Sequence, residues 1–177
     1  NKKIIYKDTK LVNWDTKLET AISDLEVEQK EVQSNLYYIK YKIENEDNFL
    51  TIATTRPETM LGDTAVAVNP NDIRYKKYIG KKITVPIAER EVKIIADKYV
   101  SMDQGSGALK VTPAHDFNDF EIGKRHKLEF INIFEKNGTL NHKAPKELIG
   151  LERFEARSII VKILKDKKLL EKIENIK

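Results

Sequence analysis

The stretch LYYIKYKIENEDNFLTIATT, residues 36–55, decides the fold. In an extended chain Leu36, Tyr38 and Lys40 fall on one face, and Tyr37, Ile39 and Tyr41 on the other. Aromatic and β-branched residues at period two read as a strand. The polar run ENEDN at 44–48 reads as a turn and FLTIATT at 49–55 as the returning strand, so 36–55 predicts a hairpin.

On the N-terminal side, residues 10–34 read as a connecting segment followed by a charged strand or short helix, carrying the single Trp, Trp14. On the C-terminal side RPETMLGDT, 56–64, is a loop by its Pro and Gly. TAVAV at 64–68 predicts a short buried strand, and NPNDIRYKKYIG at 69–80 a short helix closed by Gly80. KKITVPI and EVKIIA form a second hairpin, whose first strand Pro86 ends or confines to an edge. GALKVT at 107–112 predicts a strand, followed by a helix from about Asp116 to His126. FINIF at 130–134 predicts a further strand, before a turn at Asn137-Gly138. Beyond Gly150, Ala156, Ile159, Ile160, Ile163 and Leu164 form one apolar helical stripe, with Lys162, Lys165, Asp166 and Lys167 facing water. Strands arriving in hairpins with few helices between them predict a mostly β fold of the α+β class, a barrel or folded sheet decorated by helices. With no internal repeat and no low-complexity linker, 1–177 reads as one domain with peripheral ends.

Composition agrees. Apolar residues are 40% and charged residues 34% of the 177, a globular balance long enough for a real core. The absence of Cys excludes a disulfide framework and a Cys-based zinc site, and fits a cytosolic setting. No apolar run reaches the ~18 residues of a membrane span, and no signal-peptide pattern is present, so no membrane partner is expected. The chain opens on Asn-Lys-Lys without Met, which predicts a piece of a longer protein. The net charge of +4 permits a nucleic-acid partner without demanding one.

Two clusters carry the chemistry. In GALKVTPAHDFNDF, 107–120, Lys110 and Thr112 alternate with Leu109 and Val111; if the latter enter the core, the former face solvent or a cleft. Asp116 stands where a helix begins and reads as its N-cap, while Asp119, three residues on, either serves the helix dipole or sits at a pocket mouth to receive an ammonium. Gly105 and Gly107 flank Ser106, either as a plain turn or as a loop letting backbone amides approach a ligand. His115 is a metal ligand, a base or a structural hydrogen-bonder; with only three His and no further donors at ligand spacing, no metal is expected. The second cluster is ATTRPET, 53–59. Thr54, Thr55, Arg56 and Glu58 suit a ribose or phosphate, or else form a Ser/Thr turn with a structural Arg–Glu pair. Neither cluster pairs a nucleophile with a base, so any hydrolysis is expected to use a positioned water.

TTRPETMLGDTAVAVNP at 54–70, followed by GSGALKVTPAHDFNDFEIGKRH at 105–126, resembles the editing domain inserted in valyl-tRNA synthetases. The flanks LVNWDTKLETAISDLEVE, 11–28, and GLERFEARSIIVKIL, 150–164, resemble the segments bordering that insertion, so the likeness spans nearly the whole chain. Leucyl-tRNA synthetases share a Thr-rich motif with a different continuation after Arg-Pro, and isoleucyl-tRNA synthetases usually lack the Arg-Pro-Glu run. The ATP-site signatures HIGH and KMSKS are absent.

The resemblance implies a β-barrel with surrounding helices, flanked by 1–34 and 150–177. It implies hydrolysis of threonine from mischarged tRNA(Val), in a module of an ATP-dependent valine–tRNA ligase that makes no valyl-adenylate itself. Valyl-tRNA synthetase is itself the standard example of the underlying limit: a pocket shaped for Val rejects isosteric Thr by only about a hundredfold. By the resemblance Asp119 anchors the α-amino group. Lys110, Thr112 and Arg56 line the aminoacyl pocket with Asp116 beside them. Thr54 and Thr55 contact the terminal adenosine or orient water, Glu58, Gly105 and Gly107 join the binding set, and His115 supports it. Some relatives carry an aromatic residue just before the first loop Gly, able to stack on adenine; here it is Gln104, so either a polar contact takes its place or the adenosine is held elsewhere. The implied partners are the tRNA(Val) 3′ end and the rest of the synthetase. No cofactor is implied, and the module is expected to be monomeric and cytoplasmic. The isoleucyl and leucyl editing domains and a non-catalytic tRNA-binding module are the alternatives.

Overall fold

A computed structural model of the chain describes residues 5, 7–28 and 30–176; residues 1–4, 6 and 29 of the expected N-terminal flank lie outside them. Nine strands and two α-helices are formed among the described residues. Strands β1 (Asn13–Asp15) and β2 (Thr20–Ile22) make a small antiparallel hairpin, followed by one 3-10 turn at Asp24–Glu26 under a Ser23/Glu26 capping box. The segment expected as a connection is thus folded.

The main sheet holds β3 (Ser34–Ile43), β4 (Phe49–Thr54), β5 (Ala65–Val68), β6 (Lys82–Val85), β7 (Arg90–Ala96), β8 (Ala108–Val111) and β9 (Leu170–Ile176). Its order is β4-β3-β6-β7-β5-β8, with β9 also on β3. All pairings are antiparallel except β5 with β7. The two ends of the order, β4 and β8, lie against one another, so the sheet is a nearly closed barrel. The fold is mostly β with few helices, as the hairpin pattern requires. The expected 36–55 hairpin is β3–β4, in register from Tyr37 opposite Thr54 to Lys42 opposite Phe49. Pro86 ends β6, as expected.

Alternation along β3 sets the core: Tyr37, Ile39, Tyr41 and Ile43 point inward against Leu50, Ile52, Val66, Val68, Ile83 and Ile94. A smaller cluster of Ala65, Ala67, Val111 and Ile122 fills the other face of β5 and β8, beneath helix α1 (Phe117–His126). Helix α2 (Arg153–Asp166) buries Ala156, Ile160 and Leu164 completely in the main core. Burial of the Ile and Leu side chains stabilises by roughly 1.5–3 kcal/mol each. No helix among the described residues is long and apolar enough to cross a membrane.

Three expectations need correction. FINIF at 130–134 forms no strand. Ile131 and Ile133 are buried, yet the Ile133 amide donates to a His115 ring nitrogen, and only one bridge, Phe134 to Leu140, forms. The helix expected over 69–80 shrinks to a 3-10 turn at Lys76–Tyr78. The stretch 150–176 is not peripheral, because α2 packs the core and β9, unanticipated, lines β3. Lys172 of β9 sits over the Tyr38 ring at 4.1 Å and Glu174 accepts from the Tyr38 hydroxyl at 2.8 Å. On that edge of β3, β9 takes residues 34–39 and β6 takes 42–43, with Ser34 opposite Ile176.

Candidate active site

The site forms where β8 runs out beside β4 and α1 begins. Lys110 lies opposite Val66, whose side chain belongs to the main core, so Lys110 and Thr112 point into the barrel end and are buried rather than solvated. A buried ammonium is costly without partners. Lys110 Nζ donates to Thr112 Oγ1 at 2.5 Å and stands 3.5 Å from Asp63 Oδ1. Asp63, fully buried at the end of the 3-10 turn Pro57–Gly62, also accepts from the Thr112 hydroxyl at 2.6 Å and the Tyr41 hydroxyl at 2.8 Å. Burial pushes the Asp63 carboxyl up; Lys110 and the two hydroxyl donors oppose the rise.

Asp116 caps α1, its Oδ1 accepting from the amides of Asn118 at 2.9 Å and Asp119 at 3.1 Å. Such a cap contributes about 1 kcal/mol. It also fixes Asp119 in the first turn, aimed back at β8. There Asp119 Oδ2 accepts the Thr112 amide at 2.8 Å, just past the last ladder position. Among the described residues its Oδ1 accepts no hydrogen bond. Burial raises the Asp119 carboxyl to about 6, with Lys110 and the Thr112 amide opposing and Asp116 and Asp63 adding to the rise.

Between these groups lies a cavity of about 190 Å³. Its wall includes Lys110, Thr112, Asp116 and Asp119 from one motif, and Thr54, Thr55 and Arg56 from the other. His115 also borders it, as do Tyr99 and Asn118, which sequence reasoning missed. Thr54 Oγ1 accepts the Arg56 amide at 3.1 Å, and Arg56 Nη1 donates to the His115 carbonyl at 2.9 Å, tying the two motifs together. The His115 Nε2 accepts the Ile133 amide at 3.1 Å, and its ring meets Phe134 edge-on. Burial, with Arg56 and Lys110 nearby, holds its pKa down to about 3, so His115 is a neutral structural group with its acceptor already used.

Four expected residues are placed elsewhere. Glu58 turns away and makes a two-pronged ion pair with Arg157 of α2, both contacts 2.7 Å. Gln104, Gly105 and Gly107 lie outside the wall. Gly105 has φ +57°, and a Cβ there would stand 2.9 Å from the Ala53 Cβ; Gly107 has φ +78°, and a Cβ would strike the Arg74 guanidinium. Both glycines answer to local packing. Among the described residues no group of three or more His, Asp or Glu is placed to hold a metal. His115, Asp116 and Asp119 in particular each accept a different backbone amide, at Ile133, Asn118 and Thr112.

The raised carboxyl of Asp119 has a stability sign. A carboxylate whose folded pKa lies above its unfolded value weakens the fold as pH rises from about 4 through about 6. Asp119→Asn removes that cost. The variant is expected to be more stable than the parent by about 2 kcal/mol at pH 7, the difference vanishing near pH 4. Urea unfolding of both across this range measures it; equal stability at pH 7 contradicts the assignment. Because His115 acts in the opposite sense on acidification, the difference between the two chains is the quantity to read.

Residues 76–174, more than half of the chain, match the family model described as leucyl-tRNA synthetase, editing domain. The chain belongs to the editing-domain family of the class I aminoacyl-tRNA synthetases. Within it, the chain is homologous to valyl-tRNA synthetase. It is 63% identical over 176 residues to the valine–tRNA ligase of Pelagibacter ubique (strain HTCC1062), covering 99% of this chain and 20% of that protein. It is 56% identical over 174 residues to that of Staphylococcus haemolyticus (strain JCSC1435), covering 98% and 20%. The chain thus spans about a fifth of these relatives' length. Two solved structures share the fold. The ternary complex of Agrobacterium radiobacter K84 agnB2 LeuRS with tRNA and LeuAMS has a TM-score of 0.66 at 19% identity, over 81% of this chain and 20% of that one. GlLeuRS-CP1 has a TM-score of 0.64 at 12% identity, over 80% and 98%.

Proposed function

We propose that the chain hydrolyses the ester joining threonine to the 3′-terminal ribose of mischarged tRNA(Val), as the editing domain of a valine–tRNA ligase. The observation that carries this reading is Asp119, a buried carboxylate with one oxygen on the Thr112 amide and the other accepting no hydrogen bond among the described residues, in the wall of a small cavity that Lys110 and Thr112 share. The α-ammonium of the aminoacyl group pairs with that oxygen. Lys110, Thr112 and Arg56 surround the aminoacyl group with Asp116 at its side, and Thr54 and Thr55 face the terminal adenosine or the attacking water. Water adds to the ester carbonyl carbon, the bond to the ribose oxygen breaks, and the water's proton ends on that oxygen, giving free threonine and tRNA. No cofactor is needed.

The cavity opens beside a wider groove of about 710 Å³ that shares Arg56, His115 and Asp116 and carries Trp14, Phe134, Lys136 and Arg153. Aromatic faces and cations suit the single-stranded 3′ end of a tRNA. On this reading the chain is one cytoplasmic, monomeric domain, with 1–34 and 150–177 bordering its insertion in the synthetase.

The test is selectivity. Non-hydrolysable threonyl and valyl esters of adenosine should bind with affinities about tenfold apart, threonyl tighter, the worth of one hydroxyl hydrogen bond in a buried site. Equal affinity removes the reading. Failure to cleave Thr-tRNA(Val) despite selective binding makes the chain a binding module.

A further inference from the structure

Asp63 lies beneath the cavity and does not line it. Its side chain nonetheless governs the two residues that form the floor. A Thr hydroxyl has one proton and two acceptor sites. The proton of Thr112 Oγ1 is given to Asp63 Oδ1 at 2.6 Å, and one acceptor site is filled by Lys110 Nζ at 2.5 Å. What Thr112 still offers the cavity is therefore an acceptor. Lys110, held by Thr112 and Asp63 on one side, presents its remaining protons outward as donors.

Asp63 is itself fixed from three directions. Tyr41, rooted in β3 on the far side of the barrel end, donates to Oδ2 at 2.8 Å. The backbone amide of Asp63 bonds the Met60 carbonyl at 3.0 Å, and Arg90 of β7 donates to the Asp63 carbonyl at 2.9 Å through Nη2. The backbone contacts fix where the side chain starts, and Tyr41 holds the carboxylate oxygen that does not face Thr112.

We infer that Asp63 is a specificity-determining positioning residue: by taking the Thr112 proton it turns the cavity floor into an acceptor that receives a substrate side-chain hydroxyl and gives nothing to a methyl in its place. Without Asp63, Thr112 rotates freely and donates to any acceptor, including water, and the distinction between a hydroxyl and a methyl blurs. This rests on the proposed editing function, since it concerns how that site tells threonine from valine.

The test uses the chain itself, with Asp63→Leu, which has no acceptor for the Thr112 proton, as the main variant and Tyr41→Phe as the second. Folding is checked by circular dichroism and thermal unfolding. The first readout is the Thr112 hydroxyl proton in the NMR spectrum, assigned by its loss in Thr112→Val. A proton held between two oxygens 2.6 Å apart exchanges slowly and is shifted downfield. The second readout is the ratio of affinities for the threonyl and valyl esters of adenosine. In Asp63→Leu the hydroxyl signal should be lost and the ratio should fall about tenfold, toward unity, as expected when one oriented hydrogen bond in a buried site is lost. In Tyr41→Phe, which loosens the carboxylate without touching the cavity, the ratio should fall about threefold. A merely structural role would lower stability and leave both the hydroxyl signal and the ratio of the folded fraction unchanged; that result overturns the inference. If Asp63→Leu does not fold, an unchanged ratio in Tyr41→Phe overturns it equally. If the unaltered chain shows no preference for threonyl, the editing reading fails and takes this inference with it. A preference retained in both variants removes only Asp63.

Discussion

Asp119→Ala is expected to lower the deacylation of Thr-tRNA(Val) by on the order of a hundredfold or more. Removing one partner of a desolvated charge pair costs about 2–5 kcal/mol, and each 1.4 kcal/mol is about a factor of ten. Asp119 is 5% exposed, so the ammonium it would bind is out of bulk water. Lys110 is also buried, carries the same sign as the ammonium, and repels it once the carboxylate is gone. The Thr112 amide loses its acceptor too, which is why Asp119→Asn belongs beside it: that variant keeps an oxygen for the amide and loses only the charge. Both should fold, because both abolish the cost of a buried carboxylate. Single-turnover hydrolysis at pH 7 measures the loss. A rate within threefold of the parent in both variants removes Asp119 from the site.

The second large effect is on stability and lies outside the cavity. Arg157→Ala should destabilise the chain by about 3 kcal/mol, since it leaves the Glu58 carboxylate buried and uncompensated. The Glu58 side chain is 1% exposed and both of its oxygens bond Arg157, whereas Arg157 keeps 23% of its surface in water. The pair fastens the 3-10 turn that follows Thr54, Thr55 and Arg56 to α2. Adding Glu58→Gln to Arg157→Ala should recover a substantial part of the loss, because the stranded charge disappears. Urea midpoints of the single and double variants decide the matter; a change below about 0.5 kcal/mol in Arg157→Ala means that the pair contributes no more than an exposed one.

These contacts show where a sequence carries information and where it does not. The β3–β4 hairpin and the stripe of α2 are local repeats, visible as period two and period 3.6 without knowledge of anything distant. The capping role of Asp116 is equally local. Asp119 was readable because its spacing from Asp116 places both in one helical turn. Asp63 was not: between Gly62 and a run of small apolar residues it looks like an ordinary turn residue, and only closure of the barrel brings Tyr41 and Thr112 onto it. Glu58 misled for the same reason. Its neighbours in sequence line the cavity, but its partner is 99 positions away. The burial of Lys110 was hidden too, since alternation tells which residues share a face and leaves open which face is inside. The strand β9 lacked a continuous apolar face, and its pairing rests on backbone bonds that composition does not signal.

The position of Ser34 opposite Ile176 has a mechanical consequence. Ser34 and Ile176 stand side by side on the same edge of β3, and the chain before Ser34 returns to the body, where Trp14 donates to the Lys136 carbonyl at 2.8 Å. The last strand therefore closes the seam on which the first long one began, and it cannot fray without baring the backbone groups of β3 that it covers.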